Sequence, residues 1–213
     1  MKSKPQTRKE RADSTKNKIY ESALCLIKEK GYDNVTVDEI CKHAKVAKGS
    51  FYVHYPAKDY IIRESYYARM GAFLQSGYAD FENNNPNAAF VEKILAFLTL
   101  ELDYAIHAGF ELTCRAFAMN LSACINKDSD HFQKRHFTKT LFHEIDENKD
   151  CLYPQWTSQS AFSYLESLIR GIEATWCFSN GNYPIAIEGR FFLHQALLII
   201  FREETLPASF DKK

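Results

Sequence analysis

The stretch TVDEICKHAKVAKGSFYVHYPAKDY, residues 36–60, contains two short helical patterns and the punctuation that ends each of them. Thr36 and Glu39 stand at capping-box spacing, so each side chain can satisfy the other's orphan backbone N–H. Asp38 and Glu39 also suit the positive end of a helix. Ile40, Cys41 and Ala44 give that helix an apolar face, and the pattern runs out near Ala44-Lys45. A second short helix begins around Ala47-Lys48. It ends at Tyr55, because Pro56 disfavours helical backbone at the residue before it. Two short helices joined by a tight turn make a helix-turn-helix.

The same reasoning extends outward. Residues 1–13 are polar and basic and are expected to form a mobile arm. Ser14 or Thr15 can cap a helix carrying Ile19, Ala23, Leu24 and Ile27 at helical spacing; Lys28, Lys30 and then Gly31 mark its end. After Pro56, a long helix is expected over 57–81, with Ile61, Ile62, Tyr66, Met70, Phe73 and Leu74 as its apolar positions. Further helical segments read at roughly 88–108, 110–125, 129–147, 158–179 and 185–204. Asn83-Asn84-Asn85-Pro86, Gly109, Asn126-Lys127-Asp128, the Tyr153-Pro154 region and Gly181–Pro184 separate them. No convincing alternating strand pattern is present, so the chain reads as all-α. The expected organisation is an arm at 1–13, a helix-turn-helix domain at 14–60 and a larger helical domain at 61–213.

Composition bounds the function. The 213 residues are 46% hydrophobic and 14% aromatic, ample for a packed core. The longest apolar run, Ala196–Phe201, is far too short to span a membrane. The first residues lead into charge, with no apolar secretory segment, so the cytoplasm is the expected compartment. None of the six cysteines forms a Cys-x-x-Cys pair or has zinc-finger spacing to histidine; they read as reduced helix residues. The net charge is zero, yet residues 1–60 carry 13 Lys and Arg against 8 Asp and Glu. A basic N-terminal part on an acidic remainder points to a polyanionic partner.

In a helix-turn-helix the second helix enters the major groove, and its N-terminal residues meet bases and phosphates. Lys48 stands there. Gly49 lets the backbone approach, and Ser50 is short and can donate or accept. Phe51 anchors the helix on its neighbours. Tyr52 and His54 lie on the other side and can donate to phosphate oxygens. Lys58 is placed to reach the same backbone, and Thr36 offers another contact at its helix start.

These residues resemble the DNA-binding domain of the tetracycline-repressor (TetR) family of bacterial regulators. The resemblance covers residues 15–62. It rests on Ile19, Ala23, Gly31, Thr36–Ile40, Ala44, Val46, Lys48–Tyr55 and Lys58-Asp59. Ala47 departs from the Ser or Thr that often caps the recognition helix, and Ala57 stands where a polar residue is common. The resemblance implies a homodimeric transcriptional regulator, expected to repress, with double-stranded operator DNA as partner. It also implies a C-terminal domain that dimerises and binds a small effector. Expected ligand-pocket residues are Met70, Phe73, Phe97, Glu101, Tyr104, Phe117 and Tyr164, which suit an apolar or aromatic molecule. The last two long segments resemble the family's dimerisation helices, with Leu168, Ile172, Phe192, Gln195 and Ile199 in the interface. Two-fold symmetry would set the recognition helices about 34–36 Å apart on a palindromic site.

A regulator of the same fold without a small-molecule effector is the first alternative. A helical enzyme is the second: the chain has no nucleophile elbow, Walker loop or His-Glu-x-x-His, and His131, His136 and His143 lack placeable metal partners. No enzymatic activity, metal or cofactor is expected.

Overall fold

Three of the helix starts are fixed by threonine side chains that cap them, Thr7, Thr36 and Thr157. The structure is a computed structural model. It describes residues 7–125 and 136–210, with side chains except at 63, 64, 123, 124, 136–138 and 209. Nine α-helices run through the described residues, and no strand does; Leu152 and Phe201 form one isolated antiparallel bridge. The all-α expectation therefore matches. The chain divides into two units. The first comprises residues 1–68 and 111–120, the second residues 69–110 and 121–213.

In the first unit, α1 (Arg8–Lys30) begins earlier than the sequence reading placed it. Thr7, not Ser14 or Thr15, is its cap: the Thr7 hydroxyl accepts from Glu10 N–H, and Glu10 Oε2 accepts from Thr7 N–H at 2.7 Å. Residues 8–13, expected in a mobile arm, are thus the first turns of this helix; residues 1–6 lie outside the described residues. The signal was the same Thr-x-x-Glu spacing recognised at Thr36. At the other end Gly31 has φ +81, a conformation that a residue with a Cβ adopts only under strain. α2 (Val37–Ala44) and α3 (Lys48–His54) follow, and Ile19, Ala23, Ile27, Val35, Ile40, Phe51, Tyr55 and Ile62 close the core around them.

α4 (Lys58–Asn84) and α6 (Phe110–Ile125) contribute residues to both units. The second unit is built around α5 (Phe90–Ala108), which packs against α7 (His136–Glu147), α8 (Ser158–Phe178) and α9 (Arg190–Ile200). Val91, Ile94, Leu98, Leu102 and Ala105 of α5 are wholly buried. Leu165, Ile169, Leu193 and Leu197 meet them as an ordinary apolar core. A single π-helical turn over Ile185–Gly189 leads into α9, where the sequence pattern predicted one continuous helix from 185 to 204. The expected break at 126–128 and His131 lie outside the described residues. No helix among the described residues is long and apolar enough to cross a membrane.

Candidate nucleic-acid interface

The turn between α2 and α3 depends on one strained residue. Lys45 takes the left-handed conformation, φ 56 and ψ 45, and its N–H closes back on the carbonyls of Cys41 and Lys42. Val46 N–H then donates to Cys41 O at 3.0 Å. This reversal places Ala47 as the cap of α3, where no side-chain hydrogen bond is made, as its methyl dictates. α3 ends at Tyr55, whose backbone is extended at φ −139 and ψ 117, as a residue before proline prefers.

α3 has two distinct faces. Phe51 and Tyr55 are both 0% exposed. Their rings lie 5.9 Å apart, and the Tyr55 hydroxyl pairs with Ser65 Oγ at 2.6 Å. The other face presents Lys48, Gly49, Tyr52 and Val53 to solvent, with Ser50 and His54 half-buried at its margins. Tyr52 packs edge-on against Phe51 at 5.3 Å, which fixes its ring while leaving half of it exposed. Lys48 Nζ lies 2.7 Å from Asp38 Oδ1, a partner that the sequence reading did not assign. The Asp38 hydrogen bond and charge raise the Lys48 pKa and keep it cationic. Both groups are open to solvent, so the pair adds little stability. Its effect is to hold an ammonium group beside the exposed face.

Two of the expected DNA contacts, Thr36 and Lys58, also make bonds within the chain. The Thr36 hydroxyl accepts from Glu39 N–H and donates to Glu39 Oε2 at 2.9 Å, completing the capping box. Lys30 Nζ donates to the same carboxylate at 2.6 Å. Lys30 first, then Thr36, pull the Glu39 carboxyl down to about 2. Lys58 is turned inward: Nζ donates to Tyr32 O at 2.7 Å and to Val35 O at 2.8 Å. It also sits 4.0 Å from the centre of the Tyr32 ring. An amine held by two carbonyls and an aromatic face positions the loop that precedes Thr36.

Tyr32 also meets α6. The Arg115 guanidinium lies 3.9 Å from the ring centre. Arg115 also reaches Asp33 Oδ2 at 2.9 Å and Glu111 Oε1 at 3.2 Å. Glu111 Oε2 in turn accepts from Tyr32 N–H at 2.8 Å, and the Tyr32 hydroxyl donates to Asp59. Burial and Asp59 push the Tyr32 phenol well above its usual pKa, so it stays a donor.

The expected pocket residues are spread over both units. Met70, Phe97, Glu101 and Tyr104 are buried in the second. Phe73 meets Tyr104 at 5.5 Å and stacks on His107 at 5.9 Å. Tyr164 is 37% exposed and packs against Trp156 at 5.2 Å. Phe117 belongs to the first unit. Of the seven, Phe97 alone lines either described cavity of the second unit, a space of about 190 Å³ shared with Leu74, Tyr78 and Thr140. The other cavity is an open groove of about 840 Å³ with Phe81, Leu95, Leu100, Asp103, His194 and Phe210 among its walls. No cluster of metal-ligating side chains occurs among the described residues.

The expected dimer residues are also mixed. Phe192 and Ile199 are 40% and 50% exposed, Leu168 and Gln195 are half-buried, and Ile172 is only 4% exposed within its own chain. The exposed surface includes three residues outside that set, Phe178, Ile187 and Phe191. Tyr164, Leu168, Gly171, Thr175 and Phe178 recur at helical spacing, which was the available signal for Phe178.

Residues 19–64 match the family model described as bacterial regulatory proteins, tetR family. The biofilm operon icaADBC negative transcriptional regulator IcaR of Staphylococcus epidermidis is 46% identical over 50 residues. That match spans 24% of this chain and only 27% of IcaR. The whole fold is similar to the fatty acid degradation regulator FadR of Bacillus halodurans, with TM-score 0.64 and 18% identity over 92% of this chain and 97% of that one. It is also similar to FadR of Bacillus subtilis, solved in complex with stearoyl-CoA, with TM-score 0.61 and 18% identity over 86% of this chain and 98% of that one. With its helix-turn-helix signature in residues 19–64 and a helical remainder, the chain resembles the TetR family of bacterial transcriptional regulators.

Proposed function

We propose that this chain is a homodimeric transcriptional repressor that binds a palindromic operator and leaves it when a small apolar effector binds. The observation that carries the reading is the two-faced α3: Phe51 and Tyr55 lock one side into the core, and Lys48, Gly49, Tyr52 and Val53 are exposed on the other. Lys48, Ser50, Tyr52 and His54 supply the phosphate and base-edge donors, and Gly49 allows close approach. Thr36 and Lys58 shape the surface from behind. The exposed apolar side chains of α8 and α9 support pairing with a second copy, since Phe178, Phe191 and Ile199 gain by leaving water.

The effector is proposed to lodge in the second unit. The stearoyl-CoA held by the B. subtilis FadR structure makes an acyl chain a reasonable first probe, and the groove walled by Phe81, Leu95 and Leu100 offers apolar surface for one. Release requires that the effector bind the DNA-incompetent state more tightly. α4 and α6 each contribute to both units, and Glu111 and Arg115 tie α6 to the Tyr32 loop. A displaced α6 would therefore pull on the segment that ends in the α2 cap.

The test is fluorescence anisotropy with DNA from upstream of the protein's own gene, then with duplexes selected from random sequence. Salt-sensitive binding of two subunits per site is expected, lost in the Lys48→Ala/Tyr52→Ala double variant. Equal binding of both proteins to all DNA would overturn the reading. Stearoyl-CoA added to the complex is expected to release the DNA; an unmoved complex would favour a regulator without this class of effector.

A further inference from the structure

Lys48 and Tyr52 account for the polar chemistry of the exposed face of α3, and Val53 is left over. It is 82% exposed, the most open large apolar side chain of the first unit among the described residues. Gly49, four residues earlier on the same helical face, is also exposed, and a Cβ built there would meet nothing within 4 Å. A lone exposed valine on an arbitrary surface would need no account. This one sits beside Tyr52 on the face proposed to enter the groove.

The chemistry of valine then restricts what it can recognise. Its two methyl groups neither donate nor accept, so it cannot hold a phosphate oxygen or a base heteroatom. Of the groups that base pairs present in the major groove, the thymine C5-methyl is the apolar one. Burying a methyl against a methyl is favourable, whereas the exposed cytosine amine or guanine carbonyl would lose water with no partner. Gly49 leaves room for the helix backbone to come close, which a side chain as short as valine needs. We propose that Val53 contacts a thymine C5-methyl in each operator half-site and is a base-specifying residue of the interface. This rests on the DNA-binding reading above.

The experiment starts with duplexes selected from random sequence by the full chain. In the best duplex each thymine is replaced singly by uracil, which removes only the methyl group. Wild type and Val53→Ala are then compared by anisotropy, with thermal melting to verify that the exposed substitution leaves the fold unchanged. In wild type, one uracil per half-site is expected to weaken binding about four-fold, the worth of one buried methyl. The same replacement should leave Val53→Ala unaffected, and selection with Val53→Ala should relax at that base pair. Equal losses in both proteins, or a wild type indifferent to every replacement, would overturn the proposal while leaving DNA binding intact. Failure of wild type to enrich any sequence would overturn the DNA-binding reading and this proposal together.

Discussion

The two units hold themselves together differently. The first adds individually named polar locks to its apolar core. Thr7 with Glu10 and Thr36 with Glu39 cap helices, Lys58 ties two carbonyls, and the Tyr32 ring meets both Lys58 and Arg115. The second relies on an apolar helix, α5, surrounded by other apolar faces. A hydrogen bond requires a particular atom at a particular distance, whereas an apolar core accepts any set of side chains that fills the same volume. The difference gives a physical reason for the pattern of likeness. The family model matches residues 19–64, inside the first unit, and 92% of the chain shares its fold with a protein that is only 18% identical.

Core truncation is the largest effect available, and it tests whether the contrast holds. Phe51→Ala should cost about 3–5 kcal/mol in urea denaturation and abolish DNA binding. A volume-conserving change in the second unit, Leu98→Met, should cost less than about 1.5 kcal/mol. A large loss from Leu98→Met would break the comparison, because it would show a core as exacting as the locks.

Two lysines of the first unit sharpen it next. Lys58→Ala should lower stability by about 2 kcal/mol, since a charged donor to two carbonyls is removed from a half-buried site. It should leave the salt dependence of DNA binding unchanged. Lys48→Ala should do the reverse, with an unchanged melting temperature and a log–log salt slope shallower by about 1. A reduced slope for Lys58→Ala would return that residue to the phosphate contacts.

A smaller effect is expected at Lys45, whose left-handed backbone costs a residue with a Cβ about 1 kcal/mol. Lys45→Gly should raise the melting temperature of the chain. A fall would mean that unfolded-state entropy outweighs the relieved strain.

The smallest concerns acid. Glu39 titrates at about 2 in the folded chain, below its ordinary 4.5, so its contribution to stability is complete above pH 4.5 and is lost as pH falls towards 2. Glu39→Gln should flatten that part of the stability profile, measured by denaturation between those values. An unchanged profile would assign the acid loss to other carboxylates.

The sequence alone determined the helix-turn-helix, the all-α class and most helix limits. Each of these is decided within a few residues. A threonine three before a glutamate closes a capping box, a glycine ends α1, and a proline forces Tyr55 out of the helix. Tertiary structure decided the roles of side chains whose partners lie far along the chain. Lys58 became a lock because Val35, 23 residues away, offered its carbonyl. Arg115 became part of the first unit because Asp33 and Tyr32 met it across about eighty residues. Ile172 went into the core, while Val53 and Phe178 stayed in solvent. Helical periodicity tells which residues share a face, but only the packed neighbours determine whether that face is covered.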